Sequence, residues 1–355
     1  MGFRKEKFGT SKDGREVSRY ILENAHGYKV VLSDLGAVIL ELWMPDRNGK
    51  SEDVALGFGS VSEYEANGPS FGAVVGRYAN RISDAKFTLN GKTYGLDDND
   101  NGKCLHSGYD RYAHHVYEAE YEHGELGESV SFHRISPDME QGMPGELSVT
   151  VTYTLTEADE LMIEYHAVSD ADTIINMTNH NYFNFGPGGH KCGDVRQQRM
   201  QVFADAYTPI GENLLPTGEI KSVEGTAFDF REMHVIGERI GEEDSADARV
   251  VTGYDHNFVL RTQDGTIGKA VVYEDEETGR YMEVFTDFPG VQVYSAATLG
   301  AEKGKDGAQY GPFSGICFET QNYPNAVNQE GFPSPILRAG EEYERTAVFR
   351  FGVLE

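Results

Sequence analysis

The chain has 355 residues, and 31 Lys+Arg against 58 Asp+Glu give it a formal net charge of −27. Such a balance repels a phosphate backbone and an anionic membrane surface, which argues against nucleic acid and lipid as partners. Its three cysteines, Cys104, Cys192 and Cys317, are far apart and form no Cys-x-x-Cys pair, against a disulfide framework or a zinc knuckle.

Period-two patterning dominates from the start of the chain. Residues 38–44, apolar except for Glu41, end in the turn Pro45-Asp46-Arg47-Asn48-Gly49, which predicts a strand. Ser60 is a cap candidate for a short helix over 60–66. Residues 86–89 and 92–94 flank Asn90-Gly91, a hairpin with a type I′ turn. In 146–156 the apolar set Leu147, Val149, Val151, Tyr153 and Leu155 alternates with Ser148 and four threonines, again a strand. A second short helix is expected over 230–240. Residues 271–273 and 281–286 flank an acidic turn, and Ala347, Phe349 and Phe351 mark the last strand. The acidic runs 242–244 and 274–277 read as solvated loops.

With 41 Gly as punctuation, no Pro/Ser-rich linker and no internal repeat, the pattern predicts an all-β fold. The expected form is one large antiparallel β-sandwich of two extended sheets with few short helices, a single domain over 1–355. Division into two β domains near Gly186-Pro187-Gly188-Gly189 is the alternative. Residues 1–7 lack the apolar core of a leader, and no stretch approaches a membrane span, so the expected compartment is a reducing cytoplasm.

Polar groups that carry chemistry cluster beside the strand-like runs. The run Ile316-Cys317-Phe318 delivers Glu319 to the end of an apolar element, and Gln321, Asn322, Asn325 and Asn328 follow. Burial there would raise the pKa of Glu319 toward that of a working general base, and the amides suit a ligand made of hydroxyls. A strand end with an Asx-rich turn is the structural alternative. Asn179-His180-Asn181-Tyr182 follows an apolar run, a half-dry setting for an imidazole. Gly76-Arg77-Tyr78-Ala79-Asn80-Arg81-Ile82 carries forked donors that fit hydroxyls or carboxylates, or that serve surface ion pairs. His106 sits between Leu105 and Ser107-Gly108 on a loop. Tyr254-Asp255-His256-Asn257 opens a strand, and Gln292 and Tyr294 share one face of another. No His-x-x-x-His or comparable ligand spacing supports a metal at Asp255 or His256.

In this order the segments resemble the aldose 1-epimerase family, the galactose mutarotases, over essentially the whole chain. The resemblance implies a many-stranded β-sandwich, a supersandwich, that interconverts the α and β anomers of free hexoses such as D-galactose and D-glucose without cofactor or metal. It implies His180 as general acid and Glu319 as general base, with Asn80, Arg81, His106, Asp255 and Gln292 binding the sugar. The partner it implies is a small aldose, handled by a monomer or homodimer. Ser107 stands where the family usually has Gly, and Phe185 where Leu is common.

Mutarotation opens the bond between C1 and the ring oxygen, lets the aldehyde end rotate, and closes the ring on the other face. One base for the anomeric hydroxyl and one acid for the ring oxygen suffice, each contributing roughly 10²–10⁴-fold. The expected tuning raises Glu319 and holds His180 near its ordinary value. A hexose-6-phosphate 1-epimerase would need a cationic pocket, and a non-catalytic sugar-binding protein would not need both His180 and Glu319. A glycoside hydrolase would need a second carboxylate beside Glu319, for which Asp255 is the candidate.

Overall fold

The computed structural model describes residues 2–241, 252–263 and 265–354; the acidic run 242–244 lies outside them. Three larger sheets build the molecule, where two were expected. The N-terminal sheet runs in chain order through Gly2–Thr10, Glu16–Glu23, Lys29–Ser33, Val38–Pro45 and Ser51–Asp53. A nine-stranded sheet places Glu342–Val353 between Glu160–Ser169 and Arg280–Thr286, so the last strand closes the middle of the sheet. A second five-stranded sheet orders Lys221–Ser222, Ala204–Thr208, Asp255–Leu260, Gly290–Tyr294 and Cys317–Gln321.

The alternation read from the sequence is the alternation of burial. Leu147, Val149, Val151 and Tyr153 are fully buried, while Ser148, Thr150 and Thr152 are half-buried and pair across strands, as in Ser131 with Thr152 at 2.9 Å. One apolar cluster joins Leu22 and Leu42, Val151 and Phe349, and Phe258, Val293 and Phe318, which belong to the three sheets in turn. The hairpin also forms as expected: Leu89 pairs with Lys92, and Asn90 and Gly91 take φ of 52° and 76°, the left-handed values of a type I′ turn.

Helical structure is sparser than the sequence suggests. Val61–Tyr64 is a single α-helical turn, started where Glu63 draws in both the Ser60 hydroxyl at 2.6 Å and the Gly59 N–H at 3.2 Å. The helix expected over 230–240 is replaced by a strand, His234–Val235, and a 3₁₀ turn, Ile236–Arg239. Pairing of His234 with Met200 at the sheet edge, and Gly237 within the turn, override the weak helical pattern. In the acidic turn, Glu276 and Glu277 are solvated, but Asp275 is buried and accepts from both the Thr278 N–H and its hydroxyl.

The Gly186-Pro187-Gly188-Gly189 segment packs directly on the N-terminal sheet. Gly189 has φ of 59°, and a Cβ there would meet the Asp53 carbonyl oxygen at 2.1 Å, so this approach requires glycine. Beside it lies Arg280, fully buried. Its guanidinium donates to the carbonyls of Met44, Lys50, Phe185 and Gly186 and to Glu52 at 2.9 Å. Removing one partner of a buried ion pair leaves the other charge uncompensated, so Arg280→Ala is expected to lower unfolding free energy by about 3–5 kcal/mol in chemical denaturation.

Candidate active site

Glu319 and His180 meet on the wall of a cavity of about 340 Å³, within the range of small-molecule sites. Strand register brings Glu319 there. In Cys317–Gln321, Glu319 lies opposite Gln292, which lies opposite Asn257; Cys317 lies opposite Tyr294, and Tyr294 opposite Asp255. These six side chains share one face. Their neighbours Phe258, Val291, Val293 and Phe318 point the other way, into the core. His256 follows them, against the Phe228 ring at 4.4 Å, so it and Asp255 point away from each other and share no ion.

His180 is held by its own backbone. Thr178–Asn179 pairs with Val74–Val75, the His180 N–H donates to Ala73 O at 2.9 Å, and the Gly72 N–H donates to His180 O at 3.0 Å. Phe183 then bridges to Ile316 on one side and Ala55 on the other. The imidazole stacks on Tyr182 with ring centres 5.0 Å apart, stands edge-on to His106 at 5.3 Å, and meets the Cys317 thiol at 3.5 Å from Nδ1. Its Nε2 lies 3.6 Å from Glu319 Oε1. Glu319 Oε2 is buried with no hydrogen-bond partner among the described residues.

Burial shifts the two groups in opposite directions. It pushes Glu319 well above the ordinary carboxylate value, with Asp255 adding to the rise and Arg81 opposing it. It pulls His180 down to about 4, against its own carbonyl and Asp255, which favour the cation. The expected His180 near its unperturbed value is therefore corrected: a ring this dry resists charge. His106 is lowered well below its ordinary value by burial, then by His180, Arg111 and Arg81. Its Nδ1 accepts the Asn80 N–H at 3.2 Å, which leaves Nε2 as the protonated nitrogen of the neutral ring.

Of the residues singled out in the sequence, Asn80, Arg81, His106, His180, Asp255 and Glu319 all line the cavity. Gln292 is buried and donates to Asp255 Oδ1 at 2.6 Å, so it reaches the cavity through Asp255. Arg81 is neutralised twice, by Asp100 at 2.8 Å and Asp255 at 3.6 Å. Ser107 takes φ of 68°, and its hydroxyl accepts the Tyr78 N–H and donates to Tyr78 O, so it fastens the His106 loop. His106, His180 and Glu319 also bring their donor atoms within 4.8 Å of one another, a spacing that a metal ion would accept. Arg111, Ser70, Thr298 and Glu302 line the cavity too. Arg111, Ser70 and Thr298 come from loops and Glu302 from a two-residue strand, with no apolar period or motif to mark them.

The family model described as Aldose 1-epimerase matches residues 18–350. The chain is 43% identical over 319 residues to galactose mutarotase of Rattus norvegicus, covering 90% of this chain and 89% of the relative. It is 34% identical over 342 residues to aldose 1-epimerase of Escherichia coli K12, covering 96% of each. Its fold matches the crystal structure of galactose 1-epimerase from Lactobacillus acidophilus with a TM-score of 0.86 at 26% identity, over 100% of both chains. With a buried carboxyl and imidazole facing each other on the wall of a small-molecule-sized cavity, and with these matches spanning nearly every residue that builds it, the chain belongs to the aldose 1-epimerase family.

Proposed function

We propose that Glu319 and His180 carry the proton transfers of aldose 1-epimerisation, on free hexoses such as D-galactose and D-glucose, within one domain that needs no metal. The observation that carries this reading is their 3.6 Å approach in a buried site with Glu319 Oε2 unpartnered. The pair holds one proton. In the dry site it rests as carboxylic acid and neutral imidazole, because burial penalises both charged forms. Sugar hydroxyls that donate to the Glu319 carboxylate favour the other arrangement, Glu319 ionised and His180 protonated. Glu319 then takes the proton of the anomeric hydroxyl as His180 gives one to the ring oxygen. The C1–O5 bond breaks, C1 becomes the aldehyde carbon, and rotation about C1–C2 presents its other face. Reclosure reverses each transfer.

In this reading Asp255 and Arg81, fixed by Gln292 and Asp100, hold ring hydroxyls, as do Asn80 and the Nε2–H of His106. Cytoplasmic residence rests on three free cysteines, two of them buried. Among the described residues no helix is long and apolar enough to cross a membrane.

Polarimetry of freshly dissolved α-D-galactose and α-D-glucose tests the assignment. His180→Asn and Glu319→Gln are each expected to lower kcat by about 10²–10⁴-fold with the fold retained; full activity in either variant removes that residue's role. The pH profile of kcat/KM provides a second check. Activity needs the pair with one proton, so it is expected to hold through pH 6 and fall only as His180 takes a second proton near 4. On the alkaline side it falls as the pair loses its proton, above the ordinary carboxylate range. An acid limb at the ordinary imidazole value would refute the buried, neutral His180.

A further inference from the structure

Arg111 and Glu302 are the two charged groups of the cavity that the mechanism leaves unused, and Arg111 is the cation. It lies where a cation is costly, and its hydrogen bonds all go to neutral acceptors: Nε to Gly108 O at 3.3 Å, and Nη1 to Gly68 O at 3.2 Å and the Ser70 hydroxyl at 3.1 Å. Among the described residues it forms no ion pair, and Nη2 makes no hydrogen bond, although the chain carries a net charge of −27. Glu302 also lines the cavity without pairing to it. Arg81, by contrast, is balanced by two carboxylates. A half-buried guanidinium with no counter-charge costs stability unless a ligand supplies one.

Its position follows from the residues it shares with His180. Arg111 grips the loop at Gly68 and Ser70; the Tyr182 hydroxyl donates to Pro69 O of that loop, and Tyr182 stacks on His180. Arg111 therefore belongs to the His180 side of the cavity and acts on that ring, whereas Arg81 acts on Glu319 and Asp255 acts on both. In a pyranose with O1 at Glu319 and O5 at His180, C5 is bonded to O5 and carries C6, so the C6 substituent lies on the His180 side of the ring.

We propose that Arg111 reads the C6 substituent and opens the pocket to aldoses that carry an anion there, a carboxylate or a phosphate. The inference rests on the roles assigned above to Glu319 and His180. The free Nη2 donates to the C6 anion, and the ring-opening chemistry at C1 is unchanged.

Mutarotation rates of D-galacturonate, D-galactose 6-phosphate, D-galactose and L-arabinose, which has the galactose ring without C6, test it in wild type, Arg111→Met and Arg111→Lys. Wild type is expected to accelerate at least one anionic sugar with kcat/KM within about tenfold of D-galactose. Arg111→Met is expected to lower the ratio of that sugar to L-arabinose by about tenfold or more, chiefly through KM, and Arg111→Lys to recover part of it. The carboxylate and phosphate arms show which anion fits. If wild type accelerates neither anionic sugar, or if Arg111→Met lowers L-arabinose equally, the proposal is overturned and Arg111 is a staple for the loops at Gly68 and Gly108. Failure of wild type on D-galactose itself would instead overturn the acid–base reading.

Discussion

Three neighbouring antiparallel strands, Asp255–Leu260, Gly290–Tyr294 and Cys317–Gln321, each turn one set of side chains to the core and the other to the cavity. Everything functional depends on that register. A slip of one residue would exchange Glu319 with Phe318 and Gln292 with Val291, burying charge in the apolar cluster and lining the cavity with hydrocarbon. The penalty for either error is large, so the packing that stabilises the sandwich also fixes the cavity face. Side chains on the two faces are thus selected together: Phe318 and Val293 hold the strand in place, and Glu319 and Gln292 are carried along.

Desolvation is the second consequence of that packing, because the sheet face is roofed by His180 and Tyr182. A carboxyl and an imidazole that would differ modestly in water are moved apart, one up and one down, by the same loss of solvent. Charge separation between them is available when a ligand full of hydroxyls replaces the lost water. The site is tuned less by opposing charges than by dryness, and hydrogen bonds from the substrate restore what dryness removed.

Much of this was legible along the chain. Strand alternation in 146–156 and the Asn90-Gly91 hairpin are local signals, and each survives in the structure; Glu319, read as the end of an apolar strand, is instead the central residue of Cys317–Gln321. What failed was whatever depended on distant partners. The 230–240 segment looked helical because its pairing partner, Met200, lies elsewhere in the sequence. His180 looked moderately tuned because the Tyr182 stack, the Cys317 thiol and the enclosing 68–73 loop are assembled only by folding. Gln292 was visible as a polar residue of the right face, but not as the support of Asp255. Arg111 carried no signal, since a single arginine after a loop has no period to betray its direction.

The near-complete burial of His180 and Glu319, whose side chains are 7% and 3% exposed, bears on how the protein handles protons over a full turnover. In the proposed mechanism each proton taken from the anomeric hydroxyl is matched by one delivered to the ring oxygen, and reclosure reverses the exchange on the other face. The pair would then end each cycle in the ionisation state in which it began, whichever anomer entered. A hydrolase or dehydrogenase must trade protons with bulk water and keep a wire of solvent or side chains for the purpose. Here the floor of the cavity can be sealed by aromatic rings, and the mouth through which the sugar passes is the only opening the chemistry requires.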